Sequence, residues 1–301
     1  MIDQAATLRD MMLNNSLPKL NEENLVQGKK MNQARLIAIS SGKGGVGKSN
    51  FTLNLALKLH AAGIKVLVFD ADLGMANIDV LMGVSSRFSL YHVLKGEKRI
   101  QDIIQFGPHG LPFVAGGSGL IELLTLTEED IHGFTSDLDR LSDEYDYILF
   151  DTGAGLSLEN RRFIAAADEC IVVTTPEPTS ITDAYALIKV MHRHLSDPVP
   201  FSIVVNRAEN RREAEQVSAK IGLVAKRFLN AAIPLLGHIS DDPHVMRAVK
   251  KQTPFTVMYP QCTASRDMER IASGYMDLAL PLTQNTQGFK GFINKWLKKT
   301  I

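Results

Sequence analysis

The sequence predicts an α/β fold in which a mostly parallel, twisted sheet is covered by helices on both faces. Two observations predict it. Short, nearly unbroken apolar runs recur at 36–40, 65–69, 111–115, 147–150, 170–174, 201–205 and 235–239. Strands that are apolar on both sides belong to a parallel sheet buried on both faces. Segments with helical spacing separate these runs, which gives repeated strand–helix–strand units. A chain of 301 residues that is 45% hydrophobic and 22% charged can bury the core such a sheet needs.

Three regions follow from the pattern. Residues 1–34 hold a short helix-compatible piece and then a polar stretch with Pro18, which reads as a tether. Residues 35–277 carry the strands and helices. Residues 278–301 contain no acidic residue but four lysines, and 284–288 look like a joint before a last helix.

Composition narrows the chemistry. Lysine plus arginine equals aspartate plus glutamate at 33 each, so overall charge points to no nucleic-acid partner. Cys170 sits in an apolar run and Cys262 far from it, without the spacing of a metal site or disulfide framework. No apolar run approaches the ~20 residues that cross a bilayer. The N-terminus, with Asp3 and Asp10, does not have the form of a signal peptide. A cytosolic address is the expectation.

The first strand runs into Gly42-Lys43-Gly44-Gly45-Val46-Gly47-Lys48-Ser49, and Phe51, Leu55, Ala56 and Leu59 then follow at helical spacing, with Gly63 as a stop. This is the GxxxxGK[ST] spacing in its strand–loop–helix setting, the mark of a P-loop NTPase. Glycines let backbone N–H groups turn toward phosphate oxygens, and the helix N-terminus adds its positive dipole end. Gly42 through Ser49, with Asn50 beside them, are the expected phosphate cradle. Lys48 should reach the β- and γ-phosphates, and the Ser49 hydroxyl should ligate Mg²⁺.

Two carboxylate loops lie at the carboxyl ends of later strands, where α/β sheets bind ligands. One begins Asp70-Ala71-Asp72-Leu73-Gly74, the other Asp151-Thr152-Gly153-Ala154-Gly155. The strand at 201–205 ends in Asn206-Arg207-Ala208-Glu209. The asparagine amide offers a donor and an acceptor to a base edge. Arginine and glutamate replace the lysine and aspartate of a guanine-reading NKxD motif, which favours ATP.

The second lysine, Lys43, makes the loop resemble the deviant Walker A motif of the MinD/ParA/nitrogenase iron-protein class. The resemblance implies that Lys43 reaches across an ATP-dependent homodimer to the partner's nucleotide. It also implies that Asp72 orients the attacking water and senses Mg²⁺, and that Asp151 holds Mg²⁺ through water. Gly153 and Gly155 would let the second loop move with the γ-phosphate. By the same resemblance Asn206 and Arg207 meet the adenine, and Asp242-Pro243 closes its other side.

Both ends of the chain add to this. Projected at 100° per residue, Phe289, Phe292, Ile293, Trp296 and Leu297 fall within roughly 140°, with Lys290, Lys295, Lys298 and Lys299 opposite. An aromatic-bearing amphipathic helix with a basic face is the pattern of an anchor on an anionic membrane, although a helix docked on the domain has the same pattern.

The N-terminus reads Asp3-Gln4-Ala5-Ala6-Thr7-Leu8-Arg9 and is similar to the DQAxxLR motif of the FlhG family (also called YlxH or FleN), the MinD-like ATPases of flagellar number control. That resemblance implies that Asp3, Gln4, Leu8 and Arg9 stimulate the GTPase FlhF, and that flagellar switch-complex proteins are partners. A MinD-type division-site ATPase and a ParA-like DNA-partitioning ATPase are the other readings within the class. A reductase of the same fold would need cluster cysteines, which two scattered ones do not supply.

Overall fold

A computed structural model describes residues 33–72, 77–116, 141–195, 199–279 and 288–297, without the side chains of 277–279, 288–290, 294 and 297. The chain divides into the units Met1–Met31 and Asn32–Ile301, and the described residues all belong to the second. The tail residues Asp3, Gln4, Leu8 and Arg9 lie outside the described residues. So do residues 73–76, the joint at 284–287, and the side chains of Phe289, Lys290, Leu297, Lys298 and Lys299.

The sheet has eight strands: β1 (Arg35–Ser41), β2 (Val66–Ala71), β3 (Gln105–Phe106), β4 (Pro112–Ala115), β5 (Tyr147–Ala154), β6 (Glu169–Thr174), β7 (Phe201–Ala208) and β8 (Leu235–Ser240). Their order is β3-β4-β2-β5-β1-β6-β7-β8. Every pairing is parallel except that of β3 with β4. All seven expected strands form. The eighth, β3, is a two-residue edge strand and has no apolar run to announce it.

β1 lies at the centre, with β5 on one side and β6 on the other. The strand order reverses direction there, so the crevice at its carboxyl end is where such a sheet takes a ligand.

Helices cover both faces. On one, α1 (Lys48–Ala61) packs with α8 (Phe255–Met258) and α9 (Thr263–Ala279) over Ile37, Val68 and Leu149. α1 is buried on nearly every side from Phe51 to Leu59, its polar Thr52 and Asn54 included. Its polar Asn54 is satisfied inside, its Oδ1 accepting from the Thr256 N–H and hydroxyl at 3.0 and 2.8 Å. Gly63 follows it with φ 84°, a left-handed turn that suits glycine.

The other face carries α4 (Leu158–Ala166), α5 (Pro178–His194), α6 (Arg211–Leu229) and α10 (Gly288–Leu297). Short helices α2 (Ile78–Met82), α3 (Leu90–Leu94) and α7 (Pro243–Lys250) complete the set. Ser157 and Asn210 cap α4 and α6, accepting from Asn160 and Glu213 N–H groups.

Candidate nucleotide site

The P-loop joins β1 to α1, and neighbouring elements hold it at close range. Gly45 and Gly47 have φ of 79° and 92°, which side chains with a Cβ rarely adopt. A Cβ on Gly42 would fall 2.2 Å from the Asp183 carbonyl on α5, and one on Gly47 would fall 2.2 Å from Asn206 Nδ2. Asn206 Nδ2 donates to the Val46 carbonyl at 2.7 Å, and the Arg207 guanidinium donates to the Gly45 carbonyl at 3.1 Å. Arg207 takes a left-handed φ of 56° where the β7–β8 register shifts, which turns its side chain onto the loop. Both residues therefore stand against the P-loop, with their donors on its backbone carbonyls.

Lys48 and Asp151 meet at the centre. Lys48 Nζ lies 2.9 Å from Asp151 Oδ1 and 3.3 Å from Ser49 Oγ. Thr52 Oγ1, one turn along α1, donates to the same Asp151 oxygen at 2.8 Å. Asp151 is fully buried, and its Oδ2 has no hydrogen-bond partner among the described residues. A buried carboxylate oxygen beside a P-loop serine fits a hydrated Mg²⁺ chemically, because that cation takes oxygen ligands and keeps waters. β5 runs on to Ala154, so Asp151 sits inside the strand and not at its end.

Next to it in the β2–β5 register is Asp70. Burial and the Asp151 charge push its carboxyl up to about 7, against the pull of three backbone N–H groups. Asp72, two residues on, is half-buried and lies at the start of its loop.

The second aspartate loop is tied to the first strand. Gly155 N–H donates to the Ser41 carbonyl at 2.8 Å, and the Thr152 hydroxyl to the Ile39 carbonyl at 3.1 Å. Asn160 on α4 closes the turn by donating to the Ala154 and Gly155 carbonyls.

Lys43 points to its own chain. Its ammonium is 3.0 Å from Glu177 Oε2 and 3.1 Å from Thr179 Oγ1, at the entry to α5. The pair is exposed, so it holds the lysine weakly.

Asp242 stands at the far side as the N-cap of α7. Burial would raise its carboxyl, but the His244 N–H and ring, the Ala264 N–H and the Cys262 thiol outweigh it and hold the group at about 2. It therefore staples α7 to the start of α9 and lines a cleft of about 540 Å³ with Glu209, Asp241 and His244.

The terminal helix is docked on the domain. Phe292, Ile293 and Trp296 are 2%, 4% and 1% exposed, packed with Phe150, Phe163, Leu90, Ile100 and Ile103. The Arg162 guanidinium covers the Trp296 indole at 5.9 Å. An apolar stripe fits a groove on the domain as well as it fits lipid, and amphipathic spacing alone does not separate the two.

Thr52, Asp70, Asn160 and Glu177 are site residues that sequence reasoning missed. Only Asp70 carried a signal, as the first carboxylate of its own loop.

A family model described as an AAA domain matches residues 34–197, which hold the P-loop and both aspartate loops. The antiactivator FleN of Pseudomonas aeruginosa is 37% identical, over 83% of this chain and 89% of that protein. The chain belongs to the FleN/YlxH family.

The flagellum site-determining protein YlxH of Helicobacter pylori, 33% identical with 99% of each chain covered, is a second relative. The structure of MinD from Pyrococcus horikoshii with Mg-ADP matches at TM-score 0.65 and 25% identity, over 84% of this chain and all of that one. This FleN/YlxH chain is accordingly a MinD-like ATPase of the flagellar branch, and its fold is that of MinD/ParA P-loop NTPases.

Proposed function

We propose that this ATPase is a dimerising switch that associates with the membrane, controls flagellar number and placement, and stimulates the GTPase FlhF through its N-terminal motif. The Lys48–Asp151 pair carries the reading. The contact is buried, and with Lys48 as the phosphate-binding cation and Asp151 as the metal-holding carboxylate it would link nucleotide occupancy to the position of the second aspartate loop.

Mg-ATP, when bound, supplies the phosphoanhydride bond whose hydrolysis resets the switch. Lys48 and the P-loop N–H groups would neutralise the β- and γ-phosphates, and Ser49, Asp72 and Asp151 would hold the cation. Asp72 would orient the attacking water. Lys43, released from Glu177 and Thr179, would reach a second copy, for which an exposed and weak pairing is suited. Asn206, Arg207 and Asp242 frame the base side.

The membrane reading draws on the α10 sequence, and docking of that helix makes membrane binding conditional. Its apolar face is spent on the domain, so lipid contact needs α10 to leave α4. Among the described residues no helix is long and apolar enough to cross a membrane, and the proposed contact is with the membrane surface. Flagellar switch-complex proteins and FlhF are the proposed partners, and the division-site reading draws on MinD of Bacillus subtilis, 29% identical.

A GTPase assay of FlhF with and without residues 1–30 separates the two. Stimulation supports the flagellar reading, and no change in FlhF turnover leaves a MinD-like positioning ATPase.

A further inference from the structure

Asp70 is a buried carboxylate that no role described so far uses. Its oxygens accept from three backbone groups: the Asp72 N–H at 3.3 Å through Oδ1, and the Asn77 and Ile78 N–H groups at 2.9 and 3.1 Å through Oδ2. Two of these donors follow residues 73–76 and one precedes them. A single side chain on β2 therefore bonds the backbone where the chain leaves the strand and where it returns into α2. The same carboxylate lies beside Asp151 in the strand register and is 2% exposed.

We infer that Asp70 is a positioning residue for hydrolysis, fixing the backbone of Asp72 through these bonds so that the Asp72 carboxylate stands at a set distance from Asp151. The inference rests on the proposed role of Asp72. A helix cap alone would account for the Asn77 and Ile78 bonds. It would not account for the bond to Asp72, the residue whose carboxylate is proposed to orient the attacking water.

Three backbone bonds converging on one buried side chain leave the turn little freedom to shift. Misplacing a catalytic group by about 1 Å costs on the order of a hundredfold in rate.

Asp70→Asn is the decisive change. The amide keeps one acceptor and turns an N–H₂ toward a backbone N–H, so either the Asp72 bond or the Asn77–Ile78 pair is lost. The full chain should then lose about ten- to a hundredfold in kcat. Affinity for a fluorescent ATP analogue and the Mg²⁺ concentration for half-maximal turnover should stay within about threefold, since Lys48, Ser49 and Asp151 are untouched. Thermal unfolding shows whether the variant is folded. If it is not, Asp70→Glu, which keeps the charge on a longer stem, should show the same split between kcat and affinity.

Turnover within twofold of wild type in a folded variant overturns the inference. So does recovery of full turnover at high Mg²⁺, which would make Asp70 a metal ligand. Asp72→Ala run alongside separates the failures. Wild-type turnover in Asp72→Ala removes Asp72 from hydrolysis and this inference with it, whereas wild-type turnover in Asp70→Asn alone removes only the positioning role.

Discussion

Phe292 lies flat on Phe150, with ring centroids 4.6 Å apart and planes 6° from parallel. Phe150 directly precedes Asp151 on β5. Phe163, on the helix after the second aspartate loop, stands 6.0 Å from Phe292 and 5.7 Å from Trp296. The terminal helix thus rests on the two elements that flank that loop. Packed interiors respond to small shifts by changing arrangement and not by stretching, so a movement of β5 or α4 reaches α10 directly.

Trp296 is the only tryptophan of the chain, so its emission follows α10 alone. Without nucleotide it should resist iodide, being 1% exposed. Anionic vesicles with brominated acyl chains should quench it once ATP is added and not before. Equal quenching with and without ATP would uncouple the helix from the nucleotide, and none in either case would leave α10 a structural helix. Trp296→Glu should abolish vesicle co-sedimentation while ATP still binds.

Lys48→Ala should abolish ATP binding and dimerisation, because the β- and γ-phosphates lose their cation. It should also destabilise the nucleotide-free protein by about 3 kcal/mol, since breaking a buried ion pair strands a charge. Thr52→Val removes only a hydroxyl from Asp151 and should cost about 1–2 kcal/mol. Its further effect should be a higher Mg²⁺ requirement. Urea titration and sedimentation with Mg-ATP read these effects, and a Lys48→Ala protein that still dimerises would contradict the assignment.

The inner strands were legible because both their faces are buried, which leaves uninterrupted apolar runs, and the half-buried edge strand β8 shares enough of that pattern to be read with them. β3 was not, since two residues on an edge carry no period. The P-loop was legible because its glycines and lysine answer to the phosphate chemistry alone. What reaches it from elsewhere was hidden: Thr52 reads as an ordinary helix residue, and Glu177 meets Lys43 across 134 positions. Asn206 is expected from the sequence as a base contact, and its bond to Val46 follows from a close approach that only the folded β7 and P-loop create. For α10 the apolar stripe was legible and what it packs against was not, because lipid and a domain groove ask for the same side chains.

Asp242 makes an acid-side prediction. Its folded value, about 2, is depressed below the 3.8 of an unperturbed aspartate. Its contribution to stability is therefore fully present above pH 4 and lost as the pH falls toward 2. The size is on the order of 1–2 kcal/mol once solvent screening is allowed for. Asp242→Asn should lose the α7–α9 staple and show less acid dependence across that window. Thermal unfolding from pH 5 to pH 2 checks it, and parallel curves for the two proteins would mean that the carboxylate contributes nothing there.

The last prediction concerns the N-terminal motif. Gln4 is the residue expected to carry activation of FlhF, because its amide both donates and accepts hydrogen bonds. Such a group can orient an attacking water in a GTPase site, as glutamines do in other P-loop systems. Asp3 would set the start of a short helix, and Leu8 and Arg9 would give one apolar and one charged contact to the partner. On this proposal the polar stretch up to residue 33 would supply reach, so that the motif could engage a separate protein while the ATPase domain turns over. Peptide 1–30 should therefore stimulate FlhF by itself. Gln4→Ala should bind with similar affinity and stimulate less, which separates chemistry from docking. Leu8→Ala should lose affinity first, because it removes the apolar anchor and leaves the amide intact. A Gln4→Ala peptide that stimulates as well as the parent would move the catalytic contribution to another residue. A parent peptide without effect on FlhF turnover would end the activator reading.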